Sequence, residues 1–186
     1  MKKSLLVMTL AAAFVAVTAF TSMENAEQKY LGSASCKACH NTDKQGKQFA
    51  KWAESAHANA FKTLQKPEAD AIAQKAGHKT KAAETAECIA CHVTGKDEKA
   101  PQYDAKFTND EGVGCESCHG AASGYKTLHM KPENKDKAVA AGMLIPKVEG
   151  GAAEKQCKQC HNSKSPTFKS FKFDEMWKKI AHPRPA

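Results

Sequence analysis

The longest apolar run in this chain lies at its beginning. SLLVMTLAAAFVAVTAF (4–20) follows the basic MKK and gives way to polar residues from Thr21. A basic end, an apolar run and the small residues VTA (17–19) are typical of a secretory signal peptide. We predict cleavage after Ala19, or a few residues later up to 26, which leaves 27–186 as a single domain. An uncleaved anchor helix is the alternative, although the run is slightly short for a membrane span of about 20 residues.

Two later segments have apolar residues at helical spacing. DKQGKQFAKWAESAHANAFKTL (43–64) predicts one amphipathic helix that Thr42 or Asp43 caps and that ends before Pro67. Its apolar face consists of Phe49, Trp52 or Ala53, Ala56, Ala60 and Leu64. FKFDEMWKKIAH (171–182) predicts a second helix, which Pro183 stops. Between them, AIAQKAGHKTK (71–81) has no clear apolar face, and Gly77 resembles a helix C-cap.

Large aliphatic residues are scarce after residue 26, because much of the 41% hydrophobic content is alanine or belongs to the N-terminal run. A chain so poor in Leu, Ile and Val does not bury enough apolar surface to offset its conformational entropy. Another source of apolar mass must complete the core, and without it we expect the chain not to fold.

The chain is basic, with 28 Lys and Arg against 20 Asp and Glu. A positive surface attracts nucleic acid, anionic lipid or an acidic protein. We predict export to the periplasm, which argues against nucleic acid as a partner. No nucleic-acid-binding signature is present either. An acidic-surfaced protein is the partner we expect, with membranes reached only through partners.

All eight cysteines fall in four copies of one motif, C-x-x-C-H: CKACH (36–40), CIACH (88–92), CESCH (115–119) and CKQCH (157–161). This motif is the attachment signature of c-type haem. Two thiols on one helical turn reach the two vinyl groups of a haem, and the adjacent histidine becomes the proximal iron ligand. Structural zinc and disulfides are the alternatives, but neither requires a histidine directly after the second cysteine. We predict four covalent haem c groups, which also supply the missing core.

The motifs define the predicted haem-binding residues. The attachment cysteines are Cys36, Cys39, Cys88, Cys91, Cys115, Cys118, Cys157 and Cys160. The proximal iron ligands are His40, His92, His119 and His161.

Four further histidines are available for the opposite, distal side of each iron. His57 lies among alanines on the first predicted helix, His182 follows the second, and His129 lies in a loop after the third motif. We predict all three as distal ligands, with Met130 as an alternative to His129 that would raise the reduction potential. His78 lies in a polar stretch, and its sequence context favours ligation and solvent exposure equally.

The sequence resembles the tetrahaem cytochrome c-554 family of electron carriers. The matching stretches are WAESAHA (52–58), CIACHV (88–93), GVGCESCHG (112–120) and FKFDEM (171–176), in order along nearly the whole chain. The resemblance implies a mostly α fold of helices and long loops wrapped around closely stacked haems, with little β structure. It implies distal pairings of His129 with the His40 haem, His182 with the His119 haem and His57 with the His161 haem. It also implies that the haem of His92 is five-coordinate.

This chain departs from the family pattern in two places. The loop after the fourth motif, NSKSPTFKS (162–170), is short, and the family's best-known member has no obvious counterpart of His78. Both bear on the second iron, which is open or loosely capped in the interpretation that we favour.

The expected function is electron transfer between redox proteins, without catalysis. The resemblance implies a donor similar to hydroxylamine oxidoreductase, and a quinol-linked donor is an equal alternative. A nitric oxide or other nitrogen-oxide reductase at the second haem is the competing function, and a subunit of a larger haem assembly is a third.

Overall fold

The computed structural model describes residues 28–96, 99 and 101–182. The predicted signal peptide and its cleavage region up to 26 lie outside the described residues. The described chain is mostly helical with long loops and one short strand pair, which confirms the predicted fold class.

Short helices form most of the regular structure. The α-helices in the described residues are α1 (Lys37–His40), α2 (Gln48–Ala53), α3 (Ala60–Leu64), α4 (Pro67–Lys75), α5 (Ala86–His92), α6 (Cys115–His119), α7 (Lys135–Ala140), α8 (Ala152–Cys157) and α9 (Phe173–Ile180). The 3-10 turns are Ser33–Ser35, Asp43–Gln45, Ala82–Glu84, Asn109–Glu111, Leu128–Met130, Pro132–Asn134 and Glu149–Gly151. No helix among the described residues has the length and apolar character that crossing a membrane requires.

The two strands connect the beginning of the described chain to its middle. β1 (Lys29–Tyr30) runs parallel to β2 (Gln102–Tyr103), with Lys29 opposite Gln102 and Tyr30 opposite Tyr103. The rings of Tyr30 and Tyr103 pack with their centres 5.6 Å apart. Cross-strand aromatic pairs of this kind stabilise strand pairing, so the loop that holds β2 is fixed to the N-terminal segment.

The single helix predicted over 43–64 is wrong, because the structure divides this segment into a 3-10 turn, α2 and α3. Thr42 does cap the start, since its hydroxyl oxygen accepts a hydrogen bond from the Gln45 N–H at 3.3 Å. Gly46 then takes a φ of +89°, which favours glycine and ends the turn. Between α2 and α3, the carbonyl of His57 accepts the Val113 N–H at 3.0 Å, and this distant bond diverts the chain from a helical path.

Other local predictions are confirmed. Gly77 follows α4 with a φ of +91°, while its N–H donates to Gln74 and the His78 N–H donates to Ala73. These two bonds satisfy the last carbonyls of the helix in the pattern of a glycine C-cap. α9 forms within the predicted segment 171–182 and ends at Ile180. Both features depend on neighbouring residues alone, which explains why the sequence predicts them.

The polypeptide core consists of two small clusters. The first contains Phe61, Leu64, Ala73, Ala82 and Val93, and the second contains Ala122, Tyr125 and Ala138. Half of these buried residues are alanines, which bury little apolar area each. At about 25 cal/mol per Å² of buried apolar surface, such clusters contribute little of the stability that a domain of this length needs. The small size of this core agrees with the expectation that the chain requires additional apolar mass.

The Glu116 carboxylate connects three parts of the backbone. It is 3% exposed and accepts hydrogen bonds from the N–H groups of Leu31 at 2.9 Å, Gly32 at 2.8 Å and Ala122 at 2.7 Å. Burial raises the pKa of this carboxyl group, and the three N–H donors partly oppose that shift. The side chain thereby fixes the segment after β1 and the segment after α6 to the third C-x-x-C-H motif.

We predict that Glu116→Gln destabilises the haem-loaded protein. A glutamine keeps one acceptor oxygen and points its NH₂ group at a backbone donor, which costs about 1–3 kcal/mol at a buried site. Guanidinium denaturation should show a lower midpoint than in the parent protein. Glu133→Gln, at an exposed position, is the matched control, and equal midpoints for the two variants would contradict the role assigned to Glu116.

Candidate functional site

The four C-x-x-C-H motifs fold as helical turns. The His40 N–H donates to the Cys36 carbonyl at 3.0 Å, and the His161 N–H donates to the Cys157 carbonyl at 3.0 Å. The second and third motifs lie within α5 and α6. Residues three and four apart share one face of a helical turn, so each turn presents two thiols and one imidazole on the same side. All eight cysteines lie among the described residues, and none forms a disulfide.

Three motif histidines face a distant histidine. The ring centres of His40 and His129 lie 5.9 Å apart, those of His57 and His161 lie 6.0 Å apart, and those of His119 and His182 lie 6.1 Å apart. The structure therefore brings together the same partners that the family resemblance implies. That these six histidines ligate iron remains a prediction.

The separation of these rings fits one metal ion between each pair. A ligating imidazole nitrogen lies about 2.0 Å from its metal and about 1 Å from its own ring centre, so two opposed imidazoles have ring centres about 6 Å apart. Each pair would supply two nitrogen ligands to the iron of a haem, whose porphyrin would supply the others. Among the described residues, no three His, Cys, Asp or Glu side chains group to hold a metal by themselves. The residues present fit a haem.

Backbone carbonyls orient several of the imidazoles. The Nδ1 atoms of these histidines lie near carbonyl oxygens: His92 and Ala60 at 2.8 Å, His119 and Leu144 at 3.2 Å, His129 and Tyr125 at 3.2 Å, and His182 and Ile180 at 2.8 Å. A carbonyl oxygen only accepts, so Nδ1 carries the hydrogen and Nε2 keeps its lone pair. This arrangement fixes the tautomer and the ring orientation that metal ligation through Nε2 needs.

Burial favours the neutral form of three of the paired histidines. It lowers the pKa of His57, His119 and His161, and the imidazole of the partner or of a neighbouring motif lowers each pKa further. Only the neutral imidazole has a lone pair for a metal, so the environment favours the binding form.

His92 differs from the other motif histidines. No histidine among the described residues faces its ring, although its Nδ1 is held by Ala60. His78 lies elsewhere, with its Nδ1 4.0 Å from a Glu87 carboxylate oxygen and its side chain 29% exposed. The structure thus places His78 beside Glu87, the residue before Cys88, and the two form an ion pair when the imidazole is protonated. Met130 is 67% exposed while its neighbour His129 faces His40, so the pairing involves the imidazole and not the thioether.

The four motifs follow one another in space in an order different from their order in the sequence. The Cys115 N–H donates to the Ser33 hydroxyl at 3.2 Å and the Cys36 N–H donates to the Ser33 carbonyl at 3.0 Å, which joins the first motif to the third. The Gln156 Nε2 donates to the carbonyls of Ser117 at 3.2 Å and Cys118 at 3.1 Å, which joins the third to the fourth.

The second motif lies near the fourth, because His92 Nδ1 contacts the Ala60 carbonyl and the Ala60 N–H donates to the carbonyl of His57, whose ring lies against His161. These contacts link the motifs in the row second, fourth, third, first, and the Ser117 hydroxyl of the third motif also donates to the Thr94 hydroxyl just after the second at 3.0 Å. His92 and His40 therefore belong to the two ends of the row.

Sequence reasoning did not identify the residues that connect the motifs. Glu116 and Gln156 lie in or beside a C-x-x-C-H motif, but the bonds they make reach backbone far away in the sequence. The only signal was the block GVGCESCHG (112–120), whose glycines and glutamate exceed what haem attachment requires. Gly114 illustrates the need for small residues, because a Cβ there would lie 2.4 Å from the Ser33 hydroxyl.

Comparison with known proteins gives two matches. Residues 35–120 match the family described as cytochrome c554 and c-prime. Cytochrome c-554 of Nitrosomonas europaea is 28% identical over 200 aligned positions, which cover 92% of this chain and 81% of that protein. No solved structure matches the chain.

The pair geometry predicts that His57→Ala leaves haem attachment intact and changes one iron. That iron loses its second axial nitrogen, so electron paramagnetic resonance of the ferric protein should show one additional high-spin haem, and mass spectrometry should show the parent haem content. His78→Ala is the matched control and should leave the spectrum unchanged. Identical spectra for His57→Ala and the parent would remove His57 from the ligand set.

Proposed function

We propose that this chain, which is similar to the cytochrome c-554 family, is a tetrahaem cytochrome with covalently bound haem c that transfers electrons between redox proteins in the periplasm. The observation that carries the proposal is the set of three opposed imidazole pairs, each with its ring centres about 6 Å apart. Paired axial ligands leave no position for a substrate, which suits electron transfer.

The haem group supplies one-electron chemistry between ferric and ferrous iron when it is bound. The chain positions that chemistry. The cysteines of each motif form the two thioether bonds, and the histidine ligates from the same turn. Backbone carbonyls accept hydrogen bonds from the Nδ1 atoms of the imidazoles, as at His129 and His182. Ligands fixed in this way keep their places when an electron arrives or leaves, which lowers the structural cost of the transfer.

The spatial order of the motifs gives electrons a route. The bonds of Ser33 to Cys36 and Cys115, and of Gln156 to the third motif, bring neighbouring attachment sites together. The proposed route runs from the His92 end, through the fourth and third motifs, to the His40 end. An electron that enters at one end can leave at the other without any movement of the chain.

Location and partners follow from the chemistry of attachment and from charge. Haem attachment to C-x-x-C-H motifs takes place outside the cytoplasm, in agreement with the predicted signal peptide. The excess of Lys and Arg favours acidic redox partners, which such a surface steers at a salt-dependent rate. Haem propionates lower the net positive charge of the loaded protein. A donor similar to hydroxylamine oxidoreductase and a quinol-linked donor both fit this description.

A second candidate function is reduction of nitric oxide or another nitrogen oxide at the second motif. The observation in its favour is that, among the described residues, no imidazole opposes His92. A reductase also needs proton donors near the iron, and His78 and Glu87 beside Cys88 are the nearest titratable pair. We rank this below electron transfer, because three of the four motif histidines have an opposed partner.

Removal of one attachment site tests the number of haems. Cys88→Ala together with Cys91→Ala should reduce the covalent haem content by one per chain, measured by mass spectrometry and by the pyridine haemochrome absorbance. Cys36→Ala with Cys39→Ala should have the same effect on the first motif. Retention of four haems in either double variant, or fewer than four in the parent protein, would contradict the tetrahaem proposal.

Nitric oxide binding separates the two candidate functions. Because His92 has no opposed imidazole, one ferric haem in four should be high-spin, and one nitric oxide should bind per reduced chain. A purely electron-carrying protein then shows no turnover of nitric oxide with excess reductant, whereas a reductase consumes it continuously. Four low-spin haems and no binding would show that another residue occupies the second iron.

A further inference from the structure

We propose that the segment 126–139 is the surface through which the first-motif end of the row exchanges electrons with an acidic redox protein. The inference rests on the proposed electron-carrier function and adds to it which face of the protein docks and at which end of the row.

The segment is attached directly to the first motif. It contains His129, whose ring faces His40. It is also one packed unit, since Ala138 of α7 is fully buried against Ala122 and Tyr125. The His129 N–H donates to the Tyr125 carbonyl at 3.0 Å, so the ligand and the surface around it are held by the same scaffold. A partner bound here would lie close to the His40 haem.

The charge of the segment is positive and exposed. Four lysines and two acidic residues lie within 126–139, and all six are exposed: Lys126, Lys131, Lys135, Lys137, Glu133 and Asp136. Within the described part of the chain, none of these lysines forms an ion pair. Lys37, inside the first motif, is exposed as well. Unpaired surface ammonium groups attract an acidic protein and set its encounter rate.

The segment also presents apolar surface between its charges. Met130 is 67% exposed and Val139 is 46% exposed. Interfaces commonly combine apolar contacts, in which methionine is enriched, with a charged rim. The apolar side chains allow close approach, while the lysines provide attraction over a longer range.

The opposite end of the row lacks this charge. The segment 66–87, which leads into the second motif, contains four lysines and four acidic residues: Lys66, Lys75, Lys79, Lys81, Glu68, Asp70, Glu84 and Glu87. One of these acids, Glu87, lies 4.0 Å from His78. A balanced surface does not select an acidic partner. Of the two ends of the row, only the first-motif end carries an excess of lysine, which favours docking of an acidic partner there.

Charge reversal at the two ends tests the proposal. The variants are Lys131→Glu with Lys135→Glu on the proposed surface, and Lys66→Glu with Lys75→Glu as a control. Both pairs consist of exposed residues, and both change the net charge by the same amount. The electron donor is reduced flavodoxin, an acidic protein, and stopped-flow absorbance of the haem-loaded chain gives the second-order rate constant at several salt concentrations. Dithionite reduction of each variant measures the haems independently of docking.

We expect the variant of the proposed surface to react about tenfold more slowly at low salt, and the control pair to change by less than about twofold. The difference should disappear as salt rises, because screening removes the attraction. Equal slowing of both pairs, slowing of neither, or no reaction of the parent protein with flavodoxin would overturn the docking surface while dithionite still reduced the haems. Failure of dithionite to reduce the parent protein would overturn the electron-carrier function itself.

Discussion

The structure depends on one constraint: imidazoles from distant parts of the chain lie in pairs with their ring centres about 6 Å apart, a separation that fits a single iron. His40 meets His129, His57 meets His161 and His119 meets His182. Each contact closes a long loop, which costs conformational entropy. The two alanine-rich clusters offer little to offset that cost. In the proposed tetrahaem protein, coordination and the apolar faces of the haems would therefore contribute much of the folding free energy, as metal binding does in other small metalloproteins.

The secondary structure around the pairs is short for the same reason. An attachment motif needs only one helical turn, and α1 and α6 are little longer than that. Between such turns the backbone is fixed by individual polar side chains, of which the buried Glu116 is the clearest. Since polar groups at buried sites are costly unless their bonds are complete, this carboxylate specifies one arrangement of the segments around the third motif.

Sequence reasoning predicted the local features and missed the distant ones. The attachment turns, the C-cap at Gly77 and the helix before His182 follow from neighbouring residues. The break at His57 does not, because it depends on the carbonyl bond to Val113. The partners of the three histidine pairs came from family resemblance and not from spacing, since nothing along the chain records which loops meet. The bonds of Glu116 and Gln156 were missed for the same reason.

The two ends of the row differ in a way that separates reactivity from recognition. At the His92 end, the described residues leave the imidazole without an opposed ring, and the nearby charges balance. At the His40 end, the iron site is bracketed by His129, and the same segment presents lysines and Met130 to solvent. A docking protein needs an exposed, charged surface but no free ligand position, whereas a small ligand needs the reverse. In the proposed function, one chain would therefore keep its contact with protein partners away from the iron site at His92.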